Sequence, residues 1–336
     1  MAELVRQEDY LIQKVTLLKK GVEAAILDLS FLKEVTFVET IDLSGPRLMM
    51  TWKDPDSIIR DDMKVRERDV LEIRIADIWA QDAIDQTIQF TIWTMPNSGN
   101  MVSMNCMQRH VDLLKQPAKE AILFTKKPVE TILKRLVPGL KYDVGPFPAL
   151  EDYQLLPGER PSRLLRQMAK EKGALCYYRR GTIVFKTLAD LLKVKVKHTY
   201  ENDNSTAKNQ IRQFTKPNAK SVISDRVDRN IVGWDMSKGI VKSGKQTKKP
   251  PEFVSVSTMQ SMNNLLAIPY PVIDFTAEGN GALIPGMPIA LKWNMGKIDA
   301  PVDESLPTKV VIGTAAHWYS AQKYQTRVKG VLAKAP

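Results

Sequence analysis

Along residues 31–55, FLKEVTFVETIDLSGPRLMMTWKDP, side-chain character alternates: Val35, Phe37, Glu39 and Ile41 share one parity, Thr36, Val38 and Thr40 the other. This period of two predicts a strand with one buried face. Ser-Gly-Pro at 44–46 predicts a turn, and RLMMTW beyond it the returning strand of a hairpin. The period recurs in RDVLEIRIADI (68–78), where Leu71, Ile73 and Ile75 oppose Val70, Glu72, Arg74 and Ala76. It recurs again in QTIQFTIWTM (86–95), where Ile88, Phe90 and Ile92 oppose Gln89, Thr91 and Trp93, before PNSGN turns into MVSMNCM. Short strands at hairpin spacing predict a small barrel or sandwich over residues 1–110.

The period then changes. In KKPVETILKRLVPG (126–139), Val129, Ile132, Leu133 and Leu136 stand at i, i+3, i+4 and i+7, with Pro128 at the entry and Pro138-Gly139 at the exit. That spacing predicts a helix. RPSRLLRQMAKEKG (160–173) predicts a second, with Ser162 as its cap, Leu164, Leu165 and Met168 as its apolar stripe, and Gly173 as its stop. ALCYYRRGTIVF (174–185) reads as two strands about a turn at 179–181, so residues 111–199 form a small α/β unit. Strand texture returns over residues 200–336 in NQIRQFTK, AKSVISDRVD, NIVGW, IPYPVIDFTAEGNGALIPGMPIALKW, TKVVIGTAAHWYSA and KYQTRVKGVLA. Residues 236–264, MSKGIVKSGKQTKKPPEFVSVSTMQSMNN, are polar, Lys-rich and broken by Pro250-Pro251, and read as a long loop or insertion. The fold class predicted is α+β, mainly β, in the order β, α/β, β.

Composition is that of a folded chain: 336 residues, 43% hydrophobic and 26% charged. The start, MAELVRQEDYLIQKVTLLKKG, mixes charge into every apolar run, and no stretch nears the ~18 apolar residues of a membrane span, so neither a signal peptide nor membrane insertion is expected. The net charge of +11 is unevenly placed. Residues 1–110 hold 13 Lys+Arg against 18 Asp+Glu, residues 111–250 hold 29 against 14, and residues 251–336 hold 7 against 6. The basic middle is suited to an acidic partner, to a nucleic acid or simply to solvent.

Candidate chemistry is sparse. Cys106 and Cys176 lie among apolar neighbours without ligand spacing and read as buried structural thiols, so no disulfide, metal or cofactor is expected. GIVKSGKQT puts Gly239, Gly244 and Lys245 at phosphate-loop spacing, but Gln246 replaces the magnesium-binding hydroxyl and Pro250-Pro251 break the helix that must follow, so the segment reads as a basic loop. GNGALIPGMP (279–288) reads as a turn entering a strand, and RDDMKVRERD, with Asp61, Asp62, Glu67 and Asp69 among four cations, as a mixed solvated loop. Lys193, Lys195 and Lys197 alternate with Val194 and Val196 as an exposed strand face, and Arg179-Arg180 as a basic turn beside Tyr177 and Tyr178, an arrangement able to hold phosphates and bases. Of the three histidines, His110 follows a Met-rich strand, His198 sits in a basic run, and His317 lies beside Trp318 and Tyr319. His317 reads as a packed wall residue; a hydrolase with a site assembled around it is the least favoured reading.

Three segments carry a family resemblance: the hairpin FLKEVTFVETIDLSGPRLMMTW with RERDVLEIRIAD; LLKQPAKEAILFTKKPVETILKRLV followed by PSRLLRQMAKEKGALCYYRRGTIVF; and ALIPGMPIALKW with TKVVIGTAAHWYSAQKYQTRVKGVL. In this order they resemble the baseplate hub proteins of contractile-tailed phages, a family that includes the late control proteins and the N-terminal part of type VI secretion spike proteins. The resemblance implies two tube-like β-barrel domains, 1–110 and 200–336, around the basic α/β domain 111–199. It implies a non-enzymatic homotrimer whose ring has pseudo-sixfold symmetry and joins a hexameric tail tube to a trimeric central spike. The implied partners are the tail tube protein, the spike protein, the tape-measure protein and wedge or sheath components. The implied location is the virion tail baseplate, reached by assembly in the host cytoplasm. His317 would then lie in a strand of the second barrel, where chemistry is not expected, with Trp318 and Tyr319 beside it as candidates for ring packing if threefold rings are observed. A separate spike chain would be needed, because the sequence has no spike segment after VKGVLAKAP. The alternative, on charge alone, is a basic nucleic-acid-binding protein of a phage or mobile element.

Overall fold

The alternating segments of the first hundred residues fold into strands that bury the parity expected of them. In the computed structural model, residues 11–19, 21, 23–77, 84–148, 150–217, 229–235, 237–243, 249–254, 259–266, 268–294, 306–320 and 323–333 are described. The first lobe comprises β1 (Ile12–Leu18), β2 (Ala25–Leu27), β3 (Leu32–Thr40), β4 (Arg47–Lys53), β5 (Val70–Asp77), β6 (Ile84–Thr94), β7 (Asn97–Ser98) and β8 (Met101–Gln108). Its sheet runs β2-β1-β5-β6-β8-β4-β3, with β7 paired to β8. Val35, Phe37, Leu71, Ile73, Ile75, Ile88, Phe90 and Ile92 fill its core. The hairpin pairs Val35 with Met50 and Phe37 with Leu48.

The middle unit contains α1 (Arg109–Leu114), β9 (Ile122–Phe124), α2 (Val129–Leu136), β10 (Lys141–Val144), β11 (Tyr153–Leu155), α3 (Pro161–Glu171), β12 (Ala174–Arg179), β13 (Thr182–Thr187) and α4 (Leu188–Lys193). The stripe foreseen for α2 is its buried face, through Val129, Ile132 and Leu133. Ser162, expected to cap α3, is instead buried within it. The helix opens at Pro161, whose fixed φ suits the first helical position and whose missing N–H needs no partner there. The strand expected over Lys193–Lys197 is also corrected: Lys193 ends α4, paired to Asp190 at 3.1 Å, and residues 194–198 follow without a strand. Thr187 caps α4 through its hydroxyl, a local bond that outweighs the Lys-Val alternation.

The last lobe holds β14 (Thr199–Asn202), β15 (Gln210–Thr215), β16 (Ile231–Asp235), β17 (Gly239–Ser243), β18 (Glu252–Phe253), α5 (Met259–Leu265), β19 (Tyr270–Glu278), β20 (Pro288–Trp293), β21 (Lys309–Ser320) and β22 (Lys323–Leu332). Strands β21-β20-β14-β15-β19-β22 close into a six-stranded barrel because β22 pairs back onto β21. The barrel is filled by Tyr200, Phe275, Leu291 and Trp293 among others, a packed interior rather than a channel.

At 12 residues β21 is longer than the barrel needs. Its first residues pair with β20, and Thr314–Ser320 pair antiparallel with β3 over seven positions. The free edge of the first lobe is thus stitched to the wall of the barrel. Ile41, Tyr177, Val184, Leu188, Val311 and Val331 form a small core where the three parts meet.

The segment 236–264 departs from its expectation as a loop. Its described residues form β17 and β18, which flank β16 in a three-stranded sheet, and α5, which packs on β16, β17 and α3. Asp235 accepts from the backbone N–H groups of Ser237 and Lys238, and Gly239 at φ +72° completes the turn. Alternation of Ile240 and Lys242 with Val241 and Ser243 had been masked by the lysine content. The stretch AKSVISDRVD (219–228) and Gly244, Lys245 and Gln246 of the phosphate-loop-like match lie outside the described residues. Gly239 of that match starts a strand, not a helix.

Candidate functional site: a sealed junction and a basic trough

The turn between β12 and β13 is two residues long, Arg180-Gly181, with φ of +42° and +86°. Positive φ at both positions is what a tight hairpin of this hand requires, and it costs a non-glycine residue about 1–2 kcal/mol. The compensation is where it sends the Arg180 side chain. Its Nε and Nη2 donate to Glu39 on β3, with Nη2 to Oε2 at 2.7 Å, and Nη1 donates to the Gly281 carbonyl at 2.7 Å. The Arg180 side chain is 4% exposed and that of Glu39 0%. Arg180 is therefore not the surface cation expected from the sequence, and Glu39, which shared the inward parity of its strand, is buried because a counterion from another unit reaches it.

His317 on β21 closes the cluster. Its Nε2 lies 3.1 Å from the Leu283 carbonyl, an acceptor, so this nitrogen carries the proton. Nδ1 then accepts from the Thr326 hydroxyl at 3.1 Å, and Thr326 Oγ1 accepts from the Asn280 N–H at 3.0 Å. Burial and the nearby Arg180 charge push the imidazole pKa down to about 3, against the pull of the Leu283 carbonyl. The ring is neutral, fully enclosed and committed at both nitrogens, which makes His317 a wall. Tyr319 is buried inside the chain, and the indole N–H of Trp318 donates to Glu34 of β3 at 2.5 Å. These three residues pack the chain's own seam, because β21 runs far enough to reach β3 of the same chain.

The other sequence candidates disperse. His110 accepts at Nδ1 from the Gln108 amide nitrogen at 2.9 Å and stacks on Tyr178, and His198 is buried. Arg179 and Lys186 share Asp143, at 3.1 and 2.5 Å. Asp61, Asp62 and Glu67 are exposed, while Asp69 caps a turn through the Arg66 N–H. Cys106 and Cys176 are free and buried, and burial raises both thiol pKa values, that of Cys176 to about 12.

What sequence reasoning missed is a trough between the first lobe and the middle unit. Two adjoining cavities of about 600 and 730 Å³ share Arg68 and Arg109, and between them take in Lys19, Lys115 and Arg160. Lys115 lies 5.3 Å from the centroid of the Trp93 ring. Partial burial, with Arg47 and Arg166 nearby, lowers its pKa to about 8. The buried carboxylate of Asp112 accepts from Trp93 Nε1 at 2.7 Å and from Arg68 at 3.4 Å. Positive charge dominates the trough, and its residues come from positions 19 to 160, too dispersed for a linear motif to reveal.

No protein-family model matches the sequence, and no curated protein sequence matches it. Solved structures do match it. The 43 kDa tail protein of prophage MuSo2 from Shewanella oneidensis aligns over 95% of this chain and 97% of its own at TM-score 0.59 and 11% identity. A tail protein from Neisseria meningitidis aligns over 96% of both at 0.60 and 12%. The Escherichia coli c3393 protein, a type VI secretion system component with structural similarity to the T4 bacteriophage tail proteins gp27 and gp5, aligns over 96% of this chain and 77% of its own at 0.55 and 10%. At such identities the likeness is one of fold, and it extends over nearly the whole chain: this protein is mainly β, and it has the fold of phage tail proteins and of a type VI spike-related protein.

Proposed function

We propose that the chain is a structural, non-enzymatic baseplate hub of a contractile phage tail. Residues 1–110 and 200–336 are its two tube-like units and 111–199 the basic unit between them. Three copies form a ring of six similar lobes that meets a hexameric tail tube on one face and a trimeric central spike on the other. The observation that carries this reading is the β3–β21 seam, where two β lobes of one chain join edge to edge through seven backbone-paired positions. A ring of six lobes built from three chains needs such a join within each chain, and sheet edges are the natural means of repeating it between chains. Fold likeness to phage tail proteins supports the same reading. Tail tube, spike, tape-measure, wedge and sheath proteins are its partners, in the virion tail after assembly in the host cytoplasm. Negative-stain averages without imposed symmetry test it. Threefold rings with six lobes are expected from the chain alone or with its spike, and monomers in both samples would refute it.

The trough lined by Lys19, Arg68, Arg109, Lys115 and Arg160 is assigned to an acidic neighbour in that assembly. Assembly then weakens steeply with salt, and a salt-independent assembly rules the assignment out. The same cations beside Trp93 favour the second reading, nucleic-acid binding, which requires DNA affinity that falls with salt and with Arg109→Glu.

A further inference from the structure

The sheet of β16, β17 and β18 has two faces of opposite character. On one, Ile231 and Ser243 are buried, the Ser243 hydroxyl bonds to Asn263, and α5 covers the strands. On the other, the register aligns Val232 with Lys242 and with Phe253, and Trp234 with Ile240. Residues paired across a sheet and two apart along a strand share a face, so Trp234, Ile240 and Phe253 point the same way. They are 60%, 63% and 77% exposed. Isolated exposed apolar residues are ordinary; three of the largest kinds together on one small sheet are not.

The support beneath them is firm. The amide of Asn264 on α5 donates to the Glu171 carbonyl on α3 at 3.0 Å, and Met262 is fully buried. Beside Phe253 the surface dips into a groove of about 480 Å³ with Val254 and Leu265 on its apolar side and Arg163, Arg166 and Lys170 of α3 on the other. Those cations follow at i, i+3 and i+7, one stripe of the helix. On the exposed face of the sheet itself, β17 adds Lys242, level with Val232 and so on the same side as Trp234, Ile240 and Phe253. Of the nearby carboxylates, Asp235 is occupied by its turn and Glu171 by Tyr153 and Gln167, while the exposed Glu252 pairs with Ile231 and so projects from the opposite face of β18 to Phe253.

We propose that this face docks an acidic amphipathic helix of a partner protein. Its apolar stripe seats against Phe253 and Trp234, and its flanking carboxylates meet Arg163, Arg166 and Lys170 beside the groove and Lys242 on the sheet. A second copy of this chain is a poor occupant, because symmetric self-pairing sets Lys242 and its neighbours against their own kind. The inference is independent of the ring: rings that form while the face binds nothing overturn it and leave the hub reading intact.

The probe is a synthetic helix with Leu at i, i+3, i+4 and i+7 and Glu elsewhere, titrated against the full chain by fluorescence anisotropy. Controls are a Lys-for-Glu version, a Ser-for-Leu version and a single-stranded oligonucleotide. Saturable binding of the acidic helix is expected, weakened at least tenfold by Trp234→Ser and by Phe253→Ser and several-fold by Lys170→Glu or by raised salt. These positions are exposed, so the variants keep the parent's circular dichroism and melting temperature. Failure of the acidic helix to bind overturns the proposal, as does equal binding of the Lys version, which marks mere stickiness. Preference for the oligonucleotide, or self-association abolished by Trp234→Ser, assigns the face to another occupant and also overturns it.

Discussion

Arg180→Ala removes the guanidinium that neutralises Glu39 and leaves that carboxylate, 0% exposed, without its counterion and the Gly281 carbonyl without its donor. Breaking a buried ion pair from one side costs about 3–5 kcal/mol, because desolvation of the remaining charge is no longer offset. With an unfolding entropy of about 2.1 cal/mol/K per residue, a 336-residue chain melting as one unit loses about 4–7 °C. Glu39→Leu costs a similar amount by stranding the cation. The double variant Glu39→Leu/Arg180→Met strands neither, and its cost falls near zero or within about 1 kcal/mol of it. Thermal and urea denaturation of the parent, Arg180→Met, Glu39→Leu and the double variant close the cycle, with Arg180→Ala measured beside them. If Arg180→Ala costs less than about 1 kcal/mol, or the double variant loses the sum of the single losses, the junction is not the electrostatic lock described above.

Three further outcomes follow from the same geometry. His317 has its pKa lowered to about 3 from an ordinary 6.5, so the unfolded chain binds a proton over that window while the folded chain does not; stability falls as pH drops through it, by about 1.4 kcal/mol per unit, and His317→Gln removes this part of the slope in pH-dependent urea titrations. Gly286 adopts φ +81°, and a Cβ there would stand 1.8 Å from the Tyr177 hydroxyl, so Gly286→Ala destabilises by about 2–4 kcal/mol in the same denaturation assay. Cys106 and Cys176 are buried with raised pKa values, so a thiol reagent at neutral pH labels the native protein at its opening rate and the urea-unfolded protein at once; rapid native labelling contradicts the burial.

Much of the fold follows from local pattern. A period of two put Phe37, Ile73 and Phe90 inside before any pairing was known, and a period near 3.6 placed the buried face of α2, since both signals depend on neighbours a few residues away. The lysines around β17, Lys238 and Lys242 among the described residues, and Pro250-Pro251 hid a short strand whose outward side chains, Ile240 and Lys242, are exposed rather than buried. Ser162 and the Lys193–Lys197 run misled because Pro161 at a helix entrance and the Thr187 cap decide those boundaries through single local contacts.

Sequence alone thus determined the order of β, α/β and β units, most core positions, and the wall-like character of His317. Tertiary structure alone decided that Glu39 and Arg180, 141 positions apart, meet in the dark. It also decided that β21 outruns its barrel to seam onto β3, that cations from three regions of the chain line one trough, and that Trp234, Ile240 and Phe253 share a face. Each of these depends on the approach of segments distant in sequence, and a linear pattern encodes the tendency of a segment to bury one side but not the identity of what it is buried against.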